Sequence, residues 1–111
     1  MLIYKIFRPA EWAALEANGT TTGAPIDVAD GYIHFSTAEQ ARETAAKHFA
    51  GEGDLVLAAL EADLLEPLKW EPSRGGALFP HLYRELTTAD ILWTAPLPLE
   101  GDTHVFPDLV P

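Results

Sequence analysis

Tyr32-Ile33-His34-Phe35-Ser36-Thr37-Ala38-Glu39 is an apolar and aromatic run that changes, within a few residues, into a helix-start signal. Alternate side chains of an extended chain share a face, so Tyr32, His34 and Ser36 are expected to project together. Ser36 and Glu39 have the spacing of a capping box, with Ser36 as N-cap and Glu39 reaching back to it. From there to Ala50 the periodicity predicts a helix. Ala38, Ala41, Ala45 and Phe49 recur at steps of three and four as one narrow apolar stripe. Glu43 and Lys47 form a favourable i,i+4 pair on its outer side. Gly51-Glu52-Gly53 ends it.

Outward from this stretch, Leu2 to Arg8 is rich in β-branched and aromatic residues and predicts an opening strand. Pro9 suits the first turn of a helix carrying Trp12 and Leu15, which stops at a left-handed cap near Asn18-Gly19. Thr20 to Asp30, polar and holding Gly23 and Pro25, reads as a loop leading into the histidine strand. Leu55 to Leu60 lacks polar alternation, as expected of a central strand covered on both faces. Ala62 to Glu66 allows one helical turn, Leu68 to Glu71 a short strand, and Pro72 to Gly76 a turn. A second histidine run follows, Phe79-Pro80-His81-Leu82-Tyr83, which Pro80 assigns to an edge, a strand start or a loop. Asp90 to Ala95 reads as a last strand with Ile91, Trp93 and Ala95 on one face. Residues 96–111, with four prolines, are expected to be an extended tail over the body. Strands and helices mix without a βαβ rhythm, which predicts an α+β fold with two main helices.

The chain has 111 residues, 48% of them apolar and 22% charged, enough for one domain and one core. Its 17 acidic residues against 7 basic ones give a net charge of −10, which argues against general nucleic-acid or anionic-membrane binding. With no cysteine, disulfides, thiol nucleophiles and zinc–thiolate sites are excluded. The N-terminus lacks the features of a signal peptide, and no apolar run has the length of a membrane span. The expectation is a soluble, cytoplasmic protein.

His34 and His81 are the candidates for chemistry, because imidazole titrates near neutrality and both donates and accepts hydrogen bonds. His34 stands close to a helix N-terminus, where free N–H groups favour anions and oxygen-rich ligands. Tyr32, Ser36, Phe79 and Tyr83 flank the two histidines. Trp70 could stack a base and Glu71 could bond a ribose. The alternative is that both histidines are structural, in a non-catalytic ligand-binding or protein-interaction module. His48 and His104 add no known ligand spacing, so no metal is expected. There is no dinucleotide-binding glycine fingerprint, phosphate loop or nucleophile elbow.

The order Asp30-Gly31-Tyr32-Ile33-His34-Phe35-Ser36-Thr37, an apolar strand, Trp70-Glu71 and Phe79-Pro80-His81-Leu82-Tyr83 resembles the bacterial family called domain of unknown function 952. The resemblance runs from about Leu2 to Leu97. It implies a fold similar to that of the ADP-ribosyltransferases, a split, curved β-structure that grips NAD. The first histidine run is also similar to the His-Val-His-Leu-Ser segment of the RNA 2′-phosphotransferases. By this resemblance His34 faces the nicotinamide side of a cleft, and Lys5 or Tyr4 stands where relatives place a histidine or arginine. NAD, ADP-ribose or a related nucleotide is then the implied ligand, and a transferase or hydrolase acting on an NAD-like glycosidic bond the implied enzyme. The late glutamate of many ADP-ribosyltransferases has no evident counterpart. No phosphotransferase arginine motif surrounds Arg8, Arg42, Arg74 or Arg84.

Overall fold

The opening strand β1 (Leu2–Phe7) is buried along almost its whole length because it has a neighbour on each side. The computed structural model describes residues 1–111, the side chain of Arg74 excepted. Helix α1 (Pro9–Asn18) follows with proline at its first position. The Arg8 N–H donates to the Glu11 carboxylate (3.0 Å), and Gly19, at φ 76°, closes the helix by donating to the Leu15 carbonyl (2.7 Å). A non-glycine residue would be strained there.

The segment read as a loop before the histidine run contains two elements. Thr20–Thr21 is a short strand, β2, and Pro25–Asp30 is a helix, α2. Pro25 at the first helical position supplies the helical φ, Asp27 accepts the Ala24 N–H (2.8 Å), and Gly31 forms the left-handed cap. The fold therefore has three helices rather than two main ones, within an α+β architecture.

The deciding stretch is divided between two sheets. Strand β3 (Ile33–His34) belongs to one and β4 (Ser36–Thr37) to the other, with Phe35 as the single residue between them. The expected capping box lies one residue later than read. Ser36 is in β4, and its hydroxyl meets that of Thr44 at 2.8 Å. The reciprocal bonds are made by Thr37 and Gln40, the Thr37 N–H donating to Gln40 Oε1 (3.0 Å) and the Gln40 N–H to Thr37 Oγ1 (3.3 Å). Helix α3 accordingly spans Ala41–His48, starting later than predicted. Of the expected stripe, Ala41 and Ala45 lie in the helix and are buried, whereas Ala38 precedes it and Phe49 is its C-cap; Lys47 pairs with Glu43 at 2.8 Å as expected.

Strand β5 (Leu55–Glu61) is followed by a 3₁₀ turn (Ala62–Leu64), β6 (Leu68–Pro72) and β7 (Leu78–Leu82). Then come β8 (Leu86–Thr87), a second 3₁₀ turn (Thr88–Asp90) and β9 (Ile91–Leu97). Strands β10 (Leu99–Glu100) and β11 (Thr103–His104) form a hairpin, so the expected extended tail begins only after His104. Phe106 and Leu109 of that tail pack on the core, and the Tyr4 hydroxyl donates to the Val110 carbonyl at 2.7 Å.

The main sheet has the order β4-β1-β5-β9 and the second β3-β7-β6, with antiparallel pairing throughout. Each face of the main sheet carries its own core. Ile3, Phe7, Ala58 and Leu60 pack with Leu15 of α1 and Ile33 and Leu82 of the second sheet. Tyr4, Ile6, Leu57 and Ala59 pack with Ala45 of α3. This double cover explains the unbroken apolar run of β5. The second histidine run is neither loop nor edge, since β7 is the centre of its sheet. Pro80 is tolerated because β3 is only two residues long. The Pro80 carbonyl faces that side and accepts from Phe35 N at 3.0 Å, so its missing N–H falls just beyond the β3–β7 ladder.

Candidate functional site

Register brings the two histidines together. β3 and β7 pair Ile33 with Leu82 and His34 with His81, so both imidazoles stand on one face with centroids 5.1 Å apart. Tyr32 stacks on His81 at 4.2 Å and touches the rings of His34 (4.8 Å) and Tyr83 (5.1 Å).

Asp27, which the sequence reading did not single out, is the hub on one side. Its side chain is 1% exposed. Oδ1 accepts from the backbone N–H of His34 (3.1 Å) and lies 2.6 Å from its Nδ1, while Oδ2 pairs with the Lys5 ammonium at 3.0 Å. Burial alone would push this carboxyl up, but the His34 ring, Lys5 and the His34 N–H overcome it and hold Asp27 at about 2. Lys5 also donates to the His34 carbonyl (3.2 Å) and lies over the Phe7 and Phe35 rings, so it braces the site from beneath. Gly23 is required here, since a Cβ would come within 2.3 Å of Asp27 Oδ2 and φ is +101°. The other His34 nitrogen, Nε2, is 3.0 Å from the carboxylate of Asp30 at the end of α2.

Glu71 is the hub on the other side. Its Oε1 lies 2.9 Å from His81 Nδ1 and accepts from the Tyr83 hydroxyl at 2.6 Å. The Tyr83 hydrogen bond is the first of the causes that hold Glu71 below the usual range, followed by that of His81. The same bond, with burial and the Glu71 charge, pushes Tyr83 up to about 12.

A cavity of about 510 Å³ opens beside His34, between α2, α3 and the two sheets. Of the residues anticipated from sequence, His34, Lys5, Ser36 and Phe79 line it. His81, Tyr32, Trp70 and Tyr83 do not. His81 was expected to meet ligand directly but is 1% exposed beneath Tyr32, because its strand is central. Trp70 lies on β6 at a second cavity of about 660 Å³, beside Pro67 and Leu68. Asp27, Asp30, Arg8 and Thr44 also line the first cavity and were missed as site residues. For Asp27 the available signal was Pro25 two residues before an aspartate, a helix start inside an apparent loop. Among the described residues no group of three or more His, Cys, Asp or Glu side chains is placed to hold a metal ion. None of their helices is long and apolar enough to cross a membrane.

The chain is similar to protein CC0527 of Caulobacter crescentus. The crystal structure of that protein is 54% identical, with a TM-score of 0.88 over 94% of this chain and 92% of that one. The solution NMR structure of CC0527 gives 55% identity and a TM-score of 0.83 over 93% and 90% of the two chains. Among curated proteins none matches. The model of the family described as "Protein of unknown function (DUF952)" matches residues 6–94, a span holding both histidine pairs, and the chain belongs to that family.

Proposed function

We propose that the cavity is a small-molecule site in which His34, oriented by Asp27, carries a proton to or from the bound ligand. The observation behind this is the 2.6 Å contact between buried Asp27 and His34 Nδ1, with the opposite ring nitrogen turned to Asp30. A buried carboxylate fixes the orientation of the ring, while the second nitrogen does the chemistry. Asp30 is 41% exposed, so a ligand oxygen or nitrogen could replace it on Nε2 without leaving a buried charge unpaired. The volume of about 510 Å³ falls within the range of small-ligand pockets.

The ligand class best matched is a nucleotide of the NAD or ADP-ribose type. Phe49 and Phe79 line the cavity as rings for a base, Ser36 adds a hydroxyl, and Arg8, which pairs with Glu52 at 2.8 Å and lies over Phe49 at 4.5 Å, brings a positive charge for phosphate oxygens. Two antiparallel sheets meeting at Phe35 accord with the split β-structure that the family resemblance implied. With such a ligand the reaction class is transfer or hydrolysis at the glycosidic bond. Water or an acceptor would bond to the anomeric carbon, nicotinamide would leave with the electron pair of the broken bond, and His34 would take the nucleophile's proton. Histidines kept for binding alone are the competing reading.

A thermal-shift and NMR titration with NAD, ADP-ribose and nicotinamide is the test. A ligand at one hundred times its Kd adds about 2.7 kcal/mol of apparent stability. Shifts at His34, Phe49 and Thr44 are expected, with nicotinamide release lost in His34→Ala. Binding without release favours the non-catalytic module, and no response to any of the three overturns the nucleotide reading.

A further inference from the structure

Strand β6 has a neighbour on one side only. The Tyr83 N–H donates to the Pro67 carbonyl and the Ser73 N–H to the Ala77 carbonyl, both at 2.9 Å, which fixes the backbone groups that face β7. Lys69 and Glu71, opposite His81 and Phe79, turn their N–H and C=O groups inward. Leu68 and Trp70 turn theirs outward, where none has a hydrogen-bond partner among the described residues. Lys69, Trp70 and Pro72 are exposed, so this edge is open to solvent. The other long edge strand, β9, shifts register opposite Ala59 and Leu60 and carries Pro96, two features that deter a further strand. β6 holds its register over all five residues. Its lysine is drawn over the Tyr83 ring at 4.8 Å, on the face away from Trp70.

Leu68 and Trp70 share the other face, and both line the cavity of about 660 Å³ with Met1, Leu65, Asp63 and Glu66. Met1, Leu64 and Trp70 are exposed, so apolar surface lies open around it. The rim is acidic. The Met1 ammonium pairs with Glu61 at 2.7 Å, whereas neither Asp63 nor Glu66 forms an ion pair among the described residues. Arg84 meets only the backbone carbonyl of Glu66 (2.8 Å) and is paired with Asp90 at 2.9 Å.

We propose that the outer edge of β6 docks an extended, basic peptide segment of a partner protein, which joins the second sheet as a fourth strand and lays an apolar side chain in the cavity beside Trp70. The free N–H and C=O groups select an extended chain, the cavity selects an apolar anchor, and the unpaired carboxylates select positive charge. A second copy of this chain matches the first two but not the third, because its own edge is acidic and each copy carries a net charge of −10. The surface shares no lining residue with the His34 cavity, so it goes beyond the nucleotide reading and is tested apart from it.

The probes are the blocked peptide acetyl-Lys-Val-Phe-Val-Lys-amide, its Glu-Val-Phe-Val-Glu counterpart, and the basic peptide N-methylated at its phenylalanine and last lysine. In an NMR titration of the full chain at low salt, the basic peptide is expected to move the Leu68 and Trp70 amide signals and slow their hydrogen exchange. The Lys69 and Glu71 amides, already in the ladder, should change little. The basic peptide should bind about tenfold more tightly than the acidic one, and N-methylation should weaken it by about tenfold or more. Asp63→Asn combined with Glu66→Gln should bring the charge preference below about threefold, and Trp70→Ala should weaken the basic peptide about tenfold. Equal binding of the basic and acidic peptides overturns the proposal, as does full binding of the N-methylated one. Slowed exchange at Leu68 and Trp70 that grows with protein concentration alone, with no response to peptide, gives the edge to a second copy and also overturns it.

Discussion

Asp27–His34 and Glu71–His81 are the same two functional groups, hydrogen-bonded through the same ring nitrogen, and they are buried the opposite way round. In the first the carboxylate is 1% exposed and the ring 29%. In the second the ring is 1% exposed and the carboxylate 34%. A buried carboxylate under a half-exposed ring presents an oriented imidazole to the cavity. A buried ring under a half-exposed carboxylate presents charge to solvent and keeps its nitrogen inside. Burial rather than residue type separates the two, and it follows from strand position, since His34 lies on an edge strand and His81 on a central one.

The largest effect that would test this contrast is Asp27→Ala. It strips a buried ammonium of its partner and removes the acceptor of the Ala24 and His34 N–H groups. Loss of one member of a buried ion pair costs about 3–5 kcal/mol, measurable by equilibrium urea denaturation. A loss below about 1 kcal/mol would place Lys5 and Asp27 in contact with water and break the comparison.

Acid should expose the same asymmetry. Asp27 is held at about 2 against an ordinary 3.8, so its folded pKa is depressed. Its contribution, about 2 kcal/mol, is complete above the unfolded value and is lost as pH falls through the folded one. Asp27→Asn should therefore lack the loss of stability that the wild type shows between about pH 4 and pH 2. Glu71→Gln should keep it.

Removing each ring gives a smaller and unequal pair of effects. His34→Leu leaves a buried carboxylate short of one charge-assisted hydrogen bond and should cost about 2 kcal/mol. His81→Leu frees a carboxylate that water can reach and removes a ring nitrogen, Nε2, that has no partner among the described residues, so it should cost less than about 1 kcal/mol. Thermal unfolding of the two variants side by side checks the order, and equal losses would mean that burial of the carboxylate is not what matters.

The smallest effect is confined to titration. Tyr83 is pushed up to about 12 chiefly by its bond to Glu71. Glu71→Gln should return its ionisation toward 10, read from the pH dependence of the Tyr83 ring signals. An unchanged value would assign the shift to burial.

Much of the fold was legible where the signal is local. Pro9 with Gly19 bounded α1, the alanine stripe marked α3, and the unbroken apolar run marked β5 as central. The expectation for α2 failed because a six-residue helix carries too little periodicity to outweigh its glycines and polar residues. The expectation for Pro80 failed because a proline's tolerance depends on how far the neighbouring strand extends, which its own sequence does not encode. At the site, His34 was legible as a polar residue inside an apolar strand. Asp27 was not, because what makes it a hub is burial against Lys5 and His34, elements remote from its own loop.

By itself, then, the sequence determined the building blocks: one acidic, cysteine-free α+β domain with two histidines in strand-forming runs. Alternation, capping and turn chemistry act over a few residues and can be read from the chain. Tertiary structure decided which histidine faces a cavity and which lies beneath a tyrosine, and gave each a different carboxylate. That choice depends on strand order and on the one-residue switch at Phe35 between two sheets. It also depends on the desolvation of charges that only folding brings together, and no local pattern carries that information.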